Sequence, residues 1–296
     1  MDQATKLRQM MDTKEKQDKA RVIAVTSGKG GVGKTSLSVN LAIEISKLGK
    51  KVVIFDADFG LANVEVMLGI RPKYNLLDLF HNNMSIEDII TSGPNEIGFI
   101  SSGSGVSELA SMDYDSIKLL IKEMGKLDKL YDVVIIDTGA GITDSVMEFV
   151  MVSPEILLVV TPEPTSITDA YSLLKVLRRK EEFNPMYKTI NVVSNRVTSQ
   201  DEGQDIYSKM NTVSSKFLNT KLQYLGDIPQ DKSASMAIIE QKPVCIAYPN
   251  SVASKGISNI ASKLMNEDVT EYTSKEGIAK VFFDFLKSRR KSKSKR

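Results

Sequence analysis

The chain has one cysteine, one histidine and no run of 18 apolar residues in its 296 positions. Each scarcity removes a class of function. A lone thiol, Cys245, cannot close an intramolecular disulfide, so a reducing, cytoplasmic setting is the expectation. Within KPVCIAY it reads as a small buried residue of a strand or loop. A lone histidine, His81, cannot supply a multi-histidine metal site and argues against a Ser-His-Asp triad; within LFHNN it reads as a loop residue. Without a long apolar run there is no helix to span a bilayer. The first twenty residues, MDQATKLRQMMDTKEKQDKA, show neither the apolar stretch nor the cleavage site of a secretion signal. An excess of positive charge is confined to one end. The formal net charge is +2, yet the last ten residues, KSRRKSKSKR, hold seven Lys/Arg and no acid. The remainder carries 32 basic against 37 acidic residues, a net of −5, which argues against an extended nucleic-acid surface on the body.

What is present is a hydrophobic fraction of 42%, enough for one large α/β domain or two small ones. Continuous apolar runs at 22–27, 51–56, 131–137, 155–162 and 189–195 read as strands, with weaker ones in IGFIS and at 221–229. Helical patterns lie between them, beginning with KTSLSVNLAIEISKLG, which Gly49 stops. NLLDLF and SIEDII read as short helices, and SIKLLIKEMGKLDKL, DSVMEFV and SITDAYSLLKVLRR as further ones. Unbroken apolar strands alternating with helices belong to a mostly parallel central sheet flanked by helices, a three-layer α/β fold.

GKGGVGKT (28–35) fits G-x-x-x-x-G-K-[ST] between a predicted strand and a predicted helix, which is the context a phosphate loop requires. Gly28, Lys29, Gly30, Gly31, Val32, Gly33, Lys34, Thr35 and Ser36 are the expected phosphate cradle. Lys34 should reach the β- and γ-phosphates, and the Thr35 hydroxyl should ligate Mg²⁺. Three acids stand at strand ends on the same rim: Asp56 and Asp58 in FDADFG, and Asp137 in VVIID. Carboxylates there can hold the metal's water shell or orient an attacking water. One lysine suffices for one nucleotide, so Lys29 is unaccounted for by the loop alone.

KGGVGKT, FDADFGLANVEVMLG and DVVIIDTGAGI together resemble the three motifs of the MinD/ParA family of ATPases over residues 21–265. The resemblance implies a P-loop NTPase fold, ATP and Mg²⁺ as ligands, and slow, switch-like hydrolysis. It assigns Lys29 to the nucleotide of the opposite subunit in an ATP-bound homodimer. A cation supplied in trans stabilises transition-state charge and makes hydrolysis conditional on assembly. By the same resemblance Asp58 positions the water, Asp56 assists Mg²⁺ with Thr35, and Asp137 is the acid of the third motif. Asn195 and the segment GDIPQD, with Pro229, Gln230 and Asp231, resemble adenine-contacting elements. The family's iron-protein branch needs two cysteines per subunit, and this chain has one. Partition ATPases that bind DNA, and division-site regulators that bind membrane, remain as alternatives.

The two ends of the chain narrow the choice. In TSKEGIAKVFFDFLKSRRKSKSKR, Thr273 and Glu276 form a candidate capping box. Ile278, Val281, Phe282, Phe285 and Leu286 follow at helical spacing and make one apolar stripe, with Lys280, Asp284 and Lys287 away from it. An amphipathic helix with a polybasic flank is the pattern of an anionic-membrane anchor, so a peripheral location on the inner membrane face in the ATP state is expected. At the front, Ala4, Leu7, Met10 and Met11 are spaced as on a helix, and DTKEKQDK reads as a solvated linker. Asp2, Gln3, Ala4, Leu7 and Arg8 resemble the N-terminal extension of the family's flagellar-number regulators, the FlhG branch, and TPEPTSITDAYSLLKVL resembles that branch too. In that branch the extension activates FlhF, an SRP-type GTPase, and flagellar C-ring components or transcriptional regulators are further candidate partners. The expected organisation is a GTPase-activating helix and linker over 1–20, an ATPase domain over 21–268, and a membrane-targeting helix with basic tail over 269–296.

Overall fold

The computed structural model describes residues 19–58, 63–82, 84–103, 114–180, 183–266 and 277–293. Eight strands form one sheet: β1 (Arg21–Thr26), β2 (Val52–Ala57), β3 (Thr91–Ser92), β4 (Gly98–Ser101), β5 (Val133–Thr138), β6 (Glu155–Val160), β7 (Thr189–Val197) and β8 (Gln223–Pro229). Their order is β3-β4-β2-β5-β1-β6-β7-β8. All pairings are parallel except the short β3–β4 pair at one edge, which the sequence pattern did not suggest. The helices are α1 (Lys34–Lys47), α2 (Asn63–Leu68), α3 (Asp78–His81), α4 (Ile86–Ile89), α5 (Tyr114–Leu130), α6 (Asp144–Val152), α7 (Pro164–Arg179), α8 (Gln200–Leu218), α9 (Lys232–Ile239), α10 (Val244–Ala247), α11 (Val252–Asn266) and α12 (Ile278–Lys293).

Strands β2, β5 and β6 are buried along their whole length, which is why their sequences are apolar without alternation. Successive side chains still point to opposite faces. Ile23 and Val25 join the core beneath α1 and α11, while Val22 and Ala24 join the core beneath α5 and α12. A third cluster fills the space between β6–β7 and helices α6, α7 and α8. Arg21 locks two strands and a helix together. Its guanidinium donates to both Glu155 oxygens, at 2.6 and 2.7 Å, and to the Leu264 carbonyl at 2.7 Å.

Two sequence readings need correction. His81 is the last residue of α3 rather than a loop residue. Cys245 is buried as expected, but in the one-turn helix α10, where Asn40 Oδ1 accepts its N–H at 3.0 Å. Burial pushes its thiol up to about 12.

α12 lies on the protein rather than away from it. Ile278, Val281, Phe282, Phe285 and Leu286 are all buried, in a groove between α5 and α6. The Phe285 ring stacks on Phe149 with centroids 4.0 Å apart, and Phe282 meets Phe55 edge-on at 5.1 Å. Each such side chain, fully buried, contributes about 1.5–3 kcal/mol. At the head of the helix, Asp128 Oδ1 accepts the Ile278 N–H at 3.0 Å. A Cβ at Gly277 would stand 2.4 Å from the same carboxylate, so only glycine allows that approach. Thr273 and Glu276 lie outside the described residues, as do Asp2, Gln3, Ala4, Leu7 and Arg8.

Candidate nucleotide-binding site

α1 starts with no side-chain cap and no acid in its first turn, and Gly33 stands at its N-cap in left-handed conformation with φ 96°. The opening N–H groups of the helix are left for an acceptor outside the helix, and the positive end of its dipole favours an anion. The loop before it is clamped on three sides. Asn195 Nδ2 donates to the Val32 carbonyl at 2.7 Å, and Gly141 N donates to the Ser27 carbonyl at 3.0 Å. On the third side a Cβ at Gly28 would sit 2.1 Å from the backbone of Asp169, so α7 packs directly on the loop.

Lys34 is buried, and burial lowers its pKa against the opposing pull of Asp137 and Asp58. Asp137 accepts from Thr35 Oγ1 and from Ser38 Oγ, each at 2.7 Å. Asp56 is its register partner on the adjacent strand. Burial, then the neighbouring Asp137 charge, raises Asp56 to about 8. Burial raises Asp137 to about 6 despite its two hydroxyl donors. Asp56 also accepts the N–H groups of Asp58 at 3.0 Å and Val64 at 3.4 Å, so it shapes the segment that carries Asp58. Asn63 Nδ2 donates to Asp58 Oδ2 at 3.1 Å.

The donor set fits Mg²⁺. Thr35 and Asp137 offer hard oxygens side by side, and two neighbouring buried carboxylates are an arrangement that a divalent cation relieves. Among the described residues no group of three or more His, Cys, Asp and Glu is placed to hold a metal unaided. Phosphate oxygens and water would complete the coordination, as is usual for Mg²⁺.

Lys29 stands apart from this cluster. Its Nζ donates to Glu163 Oε2 at 2.6 Å and to Thr165 Oγ1 at 2.9 Å, at the start of α7. Near the ends of β7 and β8, Asn195 pairs with Ile228 and Val197 with Pro229, and Gln230 N donates to the Val197 carbonyl at 2.8 Å. Two of the expected adenine-contacting residues already have work in the scaffold: Asn195 braces the loop, and Asp231 caps α9 through Ser233 N at 2.8 Å while accepting Ala253 N at 3.1 Å. Gln230 is exposed. Ser38, Asn63, Glu163 and Thr165 were not anticipated. Ser38 was within reach of the sequence, since it sits one helical turn after Thr35 on the same face.

The five residues of the expected membrane face are all turned inward, so lipid would reach them after α12 left its groove. No helix among the described residues is long and apolar enough to cross a membrane.

The geometry agrees with comparisons to known proteins. The ParA family, described as NUBPL iron-transfer P-loop NTPase, matches residues 18–265. Antiactivator FleN of Pseudomonas aeruginosa is 41% identical over 244 residues, covering 82% of this chain and 86% of FleN. Flagellum site-determining protein YlxH of Helicobacter pylori is 31% identical over 295 residues, covering 96% and 98%. Among solved structures, the MinC:MinD cell division complex of Aquifex aeolicus includes a chain that superposes with a TM-score of 0.64 at 26% identity, over 84% of this chain and 97% of that one. The chain therefore belongs to the ParA/MinD family of P-loop NTPases, in the group that contains FleN and YlxH.

Proposed function

We propose that the chain is a membrane-cycling ATPase that regulates flagellar number and placement by assembling into a homodimer with ATP. The observation that carries the reading is the division of labour between its two loop lysines. Lys34 is buried among Asp58 and Asp137 of its own subunit. Lys29 extends out of that cluster to the rim, where a second copy can present its phosphates. In the dimer, Lys34 and the α1 N-terminus hold one nucleotide and Lys29 completes the other. Adenine lies against the ends of β7 and β8, between Asn195 and Asp231. Thr35 and Asp137, with Asp56 beside them, would hold Mg²⁺, which when bound neutralises charge developing on the transferred phosphoryl group. Asp58 orients the attacking water, held in place by Asn63.

α12 is the output. In the docked state its apolar stripe is covered by the protein itself. Dimerisation frees it, and two such helices with polybasic flanks bind an anionic surface by avidity. Hydrolysis returns the monomer and the docked helix. Residues 2–11 engage an SRP-type GTPase, FlhF.

The test is a size measurement with ATP and with ADP, with and without anionic liposomes. The expected result is a dimer and sedimentation with liposomes in ATP, and neither in ADP. A monomer under both nucleotides would refute the switch. Liposome binding that survives removal of residues 275–296 would refute the role of the helix.

A further inference from the structure

The lysine on which trans chemistry depends is already held within its own subunit. Glu163 immediately precedes α7, yet its side chain does not cap that helix. Its carboxylate goes to Lys29 instead, which holds its pKa below the usual carboxylate range. A second cation, Arg196, also acts on Glu163 through its charge. Arg196, the penultimate residue of β7, stands in left-handed conformation at φ 59°, one residue after the Asn195 that braces the phosphate loop. That conformation is uncommon for a residue with a side chain. One carboxylate therefore answers to two cations, the loop lysine by direct contact and the arginine through its charge.

We propose that Glu163 is a positioning residue that parks Lys29 in the monomer and must give it up to the second copy's phosphates when the dimer forms. This rests on the trans assignment of Lys29 made above. The exchange is of one anion for another around the same ammonium. A carboxylate carries a single charge, and a nucleoside triphosphate carries more, so the phosphate wins when a second copy is close. Exposed ion pairs are weak, so the hold biases the equilibrium without blocking it. Arg196 makes the exchange easier, because its charge still acts on Glu163 after Lys29 departs. Thr165 adds a neutral acceptor that guides the lysine without contributing charge. The consequence is a threshold: ATP-loaded monomers at low concentration stay apart, and their loop lysines stay out of chemistry.

The experiment is self-association with a non-hydrolysable ATP analogue, followed by analytical ultracentrifugation. Glu163→Gln removes the charge and keeps the shape. It should tighten the dimer by roughly two- to fivefold for each lysine released, and a symmetric dimer releases two. Glu163→Asp, which restores the charge, should return most of the wild-type constant. In a Lys29→Ala background Glu163→Gln should have no further effect, a coupling that a merely structural role would not produce. An unchanged or weaker Glu163→Gln dimer would overturn the proposal. Wild-type dimerisation and hydrolysis by Lys29→Ala alone would instead overturn the trans assignment beneath it, and the two failures are told apart by that single variant.

Discussion

The phosphate-loop rim and the α12 groove are built on opposite terms. At the rim, charges are crowded and incompletely matched. Asp56 and Asp137 face each other with raised pKa values, Lys34 is buried among them, and α1 begins without a cap. In the groove, matching is complete. Four phenylalanines, 55, 149, 282 and 285, close on one another edge-on, tilted or stacked. The rim is organised for something that arrives with negative charge and a cation. The groove is organised around a helix of the same chain. A site that awaits a ligand tolerates strain that a packed interface removes.

Four perturbations would break or sharpen that contrast. The largest effect is expected at the rim. Lys34→Ala should lower ATP hydrolysis by roughly a hundred- to thousandfold, because it removes the donor aimed at the transferred phosphate. A steady-state rate close to wild type would show that the loop lysine is not used in this way. Next comes the groove. Phe149→Ala leaves every residue of the amphipathic stripe intact but removes the ring on which Phe285 stacks. It should cost about 3–5 kcal/mol in chemical denaturation. It should also raise liposome binding in ADP, since the helix loses its competing site. Stability lost with no gain in liposome binding would mean that docking and lipid do not compete.

The third effect is a pH dependence confined to the rim. Asp56 has a folded pKa of about 8 against an ordinary 3.8, so between those values the folded state binds more protons than the unfolded state. Stability of the nucleotide-free, metal-free protein should therefore fall as pH rises from about 4 to about 8. Asp56→Asn should flatten that slope in thermal unfolding, and an unchanged slope would assign it elsewhere. The smallest effect is at the head of α12. Asp128→Ala should cost about 1 kcal/mol, the usual worth of a capping carboxylate, seen as faster amide exchange in the first turn of the helix.

The same contrast explains what was legible in the sequence. The rim was readable because phosphate chemistry demands fixed residue types at fixed spacing. Gly28 to Thr35, Asp56 and Asp137 are all brought to one rim, as their motifs implied. The partners of Lys29 were not readable, since Glu163 and Thr165 lie more than 130 positions away and obey no spacing rule. α8 was missed for a different reason. Its buried stripe is Gly203, Ile206, Met210, Ser214 and Leu218, in which two of five positions are not hydrophobic. In α12 the pattern gave a correct apolar face but not its occupant, because a stripe suited to lipid is equally suited to a protein groove.

Asp128 joins two segments that lie far apart in the sequence. Its carboxylate receives the N–H of Ile278 at the head of α12 and also the N–H of Ala20, where the leading segment joins β1. Burial raises its pKa, and those donors pull it back down. Ala20 and the head of α12 are thus moored to a single bollard at the end of the sheet remote from the phosphate loop.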